Sequence, residues 1–316
     1  MMIRQATKED FPAIAEVLNN CWIDQRTTAE AIEEKQRTIP QHIKHGDFVA
    51  EENGDIVAYG GYSQFIGMFH PQKFGAWIHV IPEHRNKGIG TALLNTILEE
   101  LQPFNLISLR TDTREDQTAG IHLIQKWGFV ESKRYWESRL DVRGFDLRSY
   151  AKVGEKSMSH NIEITNLTEL SKRNADYLQK YYDLWSEARE DVPRPEPVTT
   201  IPFEDWHALI IETPYLIPEA SIIAVDKTTG AYVGLSQLYK AEDGEYLKTG
   251  LTGVLRGYRR KGIALAMKVK GIAYAKSINA PQIRTGNESN NRAMLSINEM
   301  LGYVKQPMWI DFVKTF

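Results

Sequence analysis

One segment of this chain occurs twice at a fixed offset, and that repeat limits the possible folds more than any other feature. Arg85-Asn86-Lys87-Gly88-Ile89-Gly90 returns as Arg259-Arg260-Lys261-Gly262-Ile263-Ala264, an offset of 259 − 85 = 174 residues. With no gap inserted, twelve positions between 80 and 130 (80, 85, 87, 88, 89, 92, 105, 110, 111, 119, 128 and 130) match their counterparts. Ordinary composition would give roughly three. A domain-sized repeat means a duplicated fold, and what stayed alike is what both copies need. Two domains are expected, 1–150 and 158–316, with a polar link at Lys152 to His160.

Composition narrows the class. The 42% hydrophobic and 25% charged content of 316 residues suits two packed cores. A net charge of −3 argues against nucleic acid as a partner, because phosphate neutralisation needs a basic face. No apolar run reaches membrane-spanning length, and the start lacks the apolar core of a signal peptide. A single cysteine, Cys21, excludes a disulfide within the chain, and a cytoplasmic location is expected.

Both halves read as strands followed by a strand–turn–helix, a mixed α/β (α+β) sheet rather than a doubly wound one. In the first half, Asn53-Gly54 marks a hairpin, Phe74 to Ile81 a strand and Gly88 to Leu101 a helix. In the second, Tyr246 to Leu255 precedes a helix over Gly262 to Lys276. Asp191-Val192-Pro193-Arg194-Pro195-Glu196-Pro197 cannot be helical and reads as a loop inserted in the second domain. His42 and His45 fall on an expected helix without a third ligand type, so no metal site is expected.

The repeated turn carries the chemistry. Glycines let backbone approach a ligand closely, and the first amides of a helix have no intrahelical partner. With the helix dipole and adjoining Arg and Lys, such a bend suits a diphosphate. Phosphate binding is therefore expected at one copy at least.

Val80-Ile81-Pro82-Glu83-His84-Arg85-Asn86-Lys87-Gly88-Ile89-Gly90 resembles the signature of the GNAT superfamily of acyl-CoA-dependent N-acetyltransferases. Trp127-Gly128-Phe129 and Leu301-Gly302-Tyr303 resemble its later motif, so the chain looks like a tandem pair with the architecture of mycothiol synthase. The resemblance implies acetyl-CoA as donor and an amine-bearing acceptor. The diphosphate would meet Arg85, Asn86, Lys87, Gly88, Gly90 and Thr91 in one copy, and Arg259, Arg260, Lys261, Gly262 and Ala264 in the other. Val80-Ile81 and Val254-Leu255 would bind the pantetheine arm like an added strand. Asn287 and Asn291 resemble asparagines that meet that arm.

The catalytic positions depart from the pattern. The family's acid, often a Tyr four residues before the late glycine, is replaced by Ile124 and Asn298. A basic Glu found on the donor strand of some members falls near Gly75 and Thr249. His79 on that strand, with Asp112 and Glu288 just past the next strands, are the remaining candidates, each also explicable as a packed or turn residue. Asn290 is the expected cap of the helix after it.

The expectation is an N-acetyltransferase acting on a small-molecule primary amine, as a monomer with an internal domain pair or as a homodimer. Domain two is favoured for chemistry by its basic turn, its asparagines and the proline loop. The missing acid and base leave open a non-catalytic acyl-CoA-binding or sensing protein, or an enzyme acting on peptides or proteins.

Overall fold

The computed structural model describes residues 1–155 and 159–316, so part of the expected 152–160 link lies outside the described residues. The chain forms two compact units, neither of them one continuous stretch. The first comprises Met1–Arg134, Pro195–Thr199 and Met308–Phe316, and the second Tyr135–Arg194 and Thr200–Pro307. The proline segment is thus divided, and its part from Pro195 onward belongs to the first unit.

In the first unit, β1 (Met2–Gln5), β2 (His45–Glu52), β3 (Asp55–Gln64) and β4 (Lys73–Val80) form an antiparallel run. The β2–β3 turn has both central residues in the left-handed region, Asn53 at φ 57° and Gly54 at φ 94°, as an Asn-Gly hairpin requires. β5 (Ser108–Arg114) then lies parallel to β4, and the closing strand β13 (Trp309–Thr315) pairs antiparallel with β5 over its whole length. Helix α3 (Ile89–Leu101) buries Ile89, Leu93, Leu94, Ile97 and Leu101 on one face of this sheet. On the other face α1 (Phe11–Cys21) and α2 (Ala29–Arg37) pack Ile14, Val17 and Ile32 around Val49 and Tyr59. α4 (Thr118–Lys126) follows β5.

Local sequence missed α2, whose mean polarity hides its short buried stripe. The expected helix carrying His42 and His45 is absent: His42 lies in a turn and His45 opens β2.

The second unit repeats the plan. The last seven residues of β6 (Val130–Asp141) pair with β11 (Gln282–Glu288), and the short β12 (Val304–Lys305) also pairs with β6. The order continues through β10 (Leu247–Val254), β9 (Tyr232–Lys240), β8 (Ile222–Asp226) and β7 (Ile162–Asn166). Helices α5 (Leu167–Arg173) and α6 (Tyr177–Glu190) precede β8. α7 (Ile263–Ser277) and α8 (Arg292–Met300) occupy the places that α3 and α4 hold in the first unit. Each half of the sequence therefore gives a strand to the other unit's sheet.

In both units the strand before the bend leaves its parallel neighbour early. β4 pairs with β5 only at Lys73, Phe74 and Gly75, and β10 pairs with β11 only at Leu247 and Lys248. Beyond those residues neither strand pairs with its parallel neighbour.

Candidate active site

The two bends have one backbone geometry. Asn86 and Gly88 stand at φ 61° and 82°, and Arg260 and Gly262 at φ 63° and 76°. A left-handed residue twice in three positions turns the chain sharply into the helix, and glycine adopts it without strain. Arg260 does so at a cost of order 1 kcal/mol. The first backbone bonds into the helices are Ala92 N–H to the Gly88 carbonyl and Ala266 N–H to the Gly262 carbonyl, each 3.0 Å. The amides of Ile89, Gly90 and Thr91, and of Ile263, Ala264 and Leu265, precede them and are the orphan donors of a helix start. They follow on the ends of β4 and β10, so unpaired backbone donors and the end of strand pairing coincide in both units.

The basic residues of the bends are less available than the sequence suggests. Arg85 Nε donates to the Val80 carbonyl at 2.9 Å, and Arg259 Nε to the Val254 carbonyl at 3.0 Å. In the second unit Asp191 pairs with Arg256 at 2.6 Å and also with Arg259, and these guanidinium groups hold its carboxyl below the usual range.

The asparagines of the second unit are also engaged. Asn291, rather than Asn290, caps α8, its Oδ1 accepting from Met294 N–H at 3.3 Å. Asn298 Nδ2 donates to Asn287 Oδ1 at 2.7 Å. Asn298 is buried, and its own Oδ1 has no hydrogen-bond partner. Glu288 is buried and accepts from the backbone and side chain of Asn290 at 2.9 and 3.1 Å, a turn role. Within this core the ammonium of Lys268 lies 5.3 Å from the centre of the Tyr303 ring. Burial alone pushes its pKa down to about 8, whereas the matching residue of the first repeat is Leu94.

The features expected to favour domain two thus have partners of their own: the proline segment is divided between the units, the basic turn is tied to Asp191, and Asn287, Asn290 and Asn291 are hydrogen-bonded within the unit.

In the first unit the candidate residues lie on the sheet face that α1 and α2 pack against. Along β5 Leu109 points into the α3 core, so Arg110, Asp112 and Arg114 share the opposite face. Asp112 is reached by solvent but lies directly across from Asp311 on β13. Loss of water around it, with the negative charge of Asp311, pushes its pKa up to about 6, against a smaller opposing pull from Lys35. Burial raises Asp311 as well, although Arg110 donates to it at 2.7 Å.

His79 of β4 stacks beside Tyr59, ring centres 6.3 Å apart and 15° from parallel. Trp22 Nε1 donates to His79 Nδ1 at 3.3 Å, which leaves the proton of the neutral ring on Nε2. Burial, with the positive charges of Lys35 and Arg85, pushes its pKa down to about 4. Trp22 also lies 4.9 Å from the ring of Trp309. Asp112 and His79 are thus on one face of the two strands that separate, and the structure sets them in different charge states.

Sequence reasoning missed Asp311, Arg110, Trp22, Trp309 and Glu196. A lone acidic residue inside Trp309-Ile310-Asp311-Phe312-Val313 was a signal, since an alternating strand does not bury a carboxylate without a partner. The repeat itself could not reveal that β13 lies beside β5.

Residues 11–129 match the family model described as acetyltransferase (GNAT) family. The chain is similar to the L-amino acid N-acyltransferase MnaT of Escherichia coli, 30% identical over 142 residues, or 41% of this chain and 80% of that protein. It is also similar to the mycothiol acetyltransferase of Thermobifida fusca, 22% identical over 266 residues, 82% of this chain and 79% of that protein. A solved tandem GNAT protein from the clavulanic acid biosynthesis pathway shares the fold, with a TM-score of 0.78 at 14% identity over 99% and 98% of the two chains. The paired bends, the parting strands and these likenesses agree: the chain is a tandem member of the GNAT acetyltransferase family.

Proposed function

We propose that this enzyme transfers an acetyl group from acetyl-CoA to the primary amine of a small molecule, with the chemistry in the first unit. The observation that carries the reading is the departure of β4 from β5 after Gly75, beside a glycine bend with free amides. Ile89, Gly90 and Thr91 amides suit the diphosphate, and the unpaired edge of β4 up to Val80 and Ile81 suits the amides of the pantetheine arm. Acetyl-CoA supplies the activated thioester. Backbone N–H groups along the same β4 edge supply donors for the oxyanion that forms when the amine attacks.

An ammonium with pKa of roughly 10 must lose a proton before it attacks. Asp112, titrating at about 6, is a carboxylate at neutral pH and accepts it. His79 stays neutral and acts as an oriented donor through Nε2–H. The acceptor class is supported by the names of the relatives, which act on amino acids in Escherichia coli MnaT and in the L-methionine sulfoximine/L-methionine sulfone acetyltransferase of Salmonella typhimurium, 27% identical over 140 residues.

The second unit keeps the bend but ties Arg256 and Arg259 to Asp191, which leaves fewer cations for a diphosphate and favours the first unit as the donor site. Thiol release from acetyl-CoA over an amine panel, comparing Gly88→Glu with Gly262→Glu, tests the assignment. Loss of turnover in the first variant alone is expected. Failure of the wild-type protein to bind CoA by calorimetry would end the reading.

A further inference from the structure

The proline segment brings an acidic residue of the second repeat into the first unit. Thr199 holds it there: its N–H donates to the Gly67 carbonyl at 3.1 Å, and its hydroxyl accepts from Phe69 N–H at 3.0 Å. Pro193, Pro195 and Pro197 stiffen the approach. Glu196 is then largely buried between two cations, with Lys73 at 2.6 Å on one oxygen and Arg110 at 3.0 Å on the other. Arg110 uses its other terminal nitrogen on Asp311 at 2.7 Å and Ser132 at 3.2 Å. Asp311 stands across the strand pair from Asp112. A continuous charge chain therefore runs Lys73–Glu196–Arg110–Asp311 to the face of Asp112.

We propose that Glu196 is a positioning residue for acyl transfer, which through Arg110 and Asp311 sets the charge that Asp112 faces; the inference rests on Asp112 being the proton acceptor. Glu196 shares the guanidinium that would otherwise serve Asp311 alone. Asp311 thus keeps part of its negative field, and a carboxylate facing negative charge is the better base. Lys35 from α2 is the other charge that acts on Asp112, while His79 of β4 and Arg110 and Arg114 of its own strand lie on the same sheet face; Arg114 is already paired with Asp24 at 3.0 Å and with Asp116 at 2.8 Å. Of the charges in this chain, Glu196 and Asp311 come from the other repeat. A staple that merely held the segment down would need one cation, whereas this carboxylate splits its two oxygens between Lys73 and the residue that neutralises Asp311.

The test uses the full chain and three variants, Glu196→Gln, Arg110→Met and Lys73→Met, each checked for its fold by circular dichroism. Carboxyl carbon NMR follows the Asp112 titration, assigned with Asp112→Asn, and kcat/KM is measured from pH 5 to 9. Glu196→Gln should lower the Asp112 midpoint and the acid limb of the rate by about half a unit or more. Arg110→Met should raise both, because Asp311 loses its partner. Lys73→Met should shift them slightly upward, since Glu196 is then less neutralised. An Asp112 midpoint unmoved in folded Glu196→Gln and Arg110→Met proteins overturns the proposal. A midpoint that moves as expected while the rate profile stays fixed upholds the charge chain and removes Asp112 as the proton acceptor.

Discussion

Arg85 Nε lies 2.9 Å from the carbonyl oxygen of Val80, the last residue of the strand that enters the bend. The bond ties the start of the turn back to its strand and fixes where the helix amides point. Lysine has no nitrogen at that place. Arg85→Lys should therefore cost about 1 kcal/mol of bend stability, seen as a roughly five-fold weaker donor Kd by calorimetry. An unchanged Kd would show that the bend is rigid without the bond.

The base role proposed for Asp112 sets stability against activity. Its folded pKa is about 6 against an ordinary 3.8, so the folded chain binds more protons than the unfolded one between those values. Stability from this group is present below pH 4, falls as pH rises to 6 and stays lost above. Asp112→Asn removes the conflict. Its Tm should be higher than wild type at pH 8 but not at pH 4, while kcat falls by roughly a hundred-fold or more.

The acid limb of the rate profile should not belong to His79. With a pKa of about 4 the ring remains neutral above pH 5. Nitrogen NMR should find Nε2 protonated and Nδ1 bare from pH 5.5 to 8. His79→Gln should leave the limb near pH 6, whereas Asp112→Asn should abolish it. A limb that vanishes with His79→Gln would reverse the two roles.

Lys268 gives an effect of opposite sign on stability. Its folded pKa of about 8 lies below the ordinary 10.5, so the unfolded chain binds more protons between those values. Stability should rise with pH from 8 to 10.5, by at most about 3 kcal/mol. Lys268→Met should be neutral or stabilising in urea unfolding at pH 7 and should erase the rise. A variant destabilised at pH 7 would show that the contact with the Tyr303 ring outweighs burial of the charge.

Much of the fold was legible because its signals are local. Asn53-Gly54 announced the first hairpin, and Ile89, Leu93, Ile97 and Leu101 spaced the α3 stripe. The glycine bends showed twice, since left-handed backbone leaves a mark at Gly88 and Gly262. The candidate site was only half legible. Asp112 and His79 lie on strands whose partners are set by pairing, and Asp311 comes from 199 positions further along (311 − 112). Glu196 sat in a loop readable as irregular but not as attached to Lys73 and Arg110.

The seven-residue strand Trp309–Thr315 sits against β5, although nearly all of the second repeat separates them in sequence. Splitting the gene at the midpoint would therefore not yield two working halves. The N-terminal product would expose the seven-residue edge of β5, prone to join other chains, with nothing opposite Asp112. A fragment meant to reproduce the first unit would have to carry residues 1–134 together with grafted copies of 195–199 and 308–316.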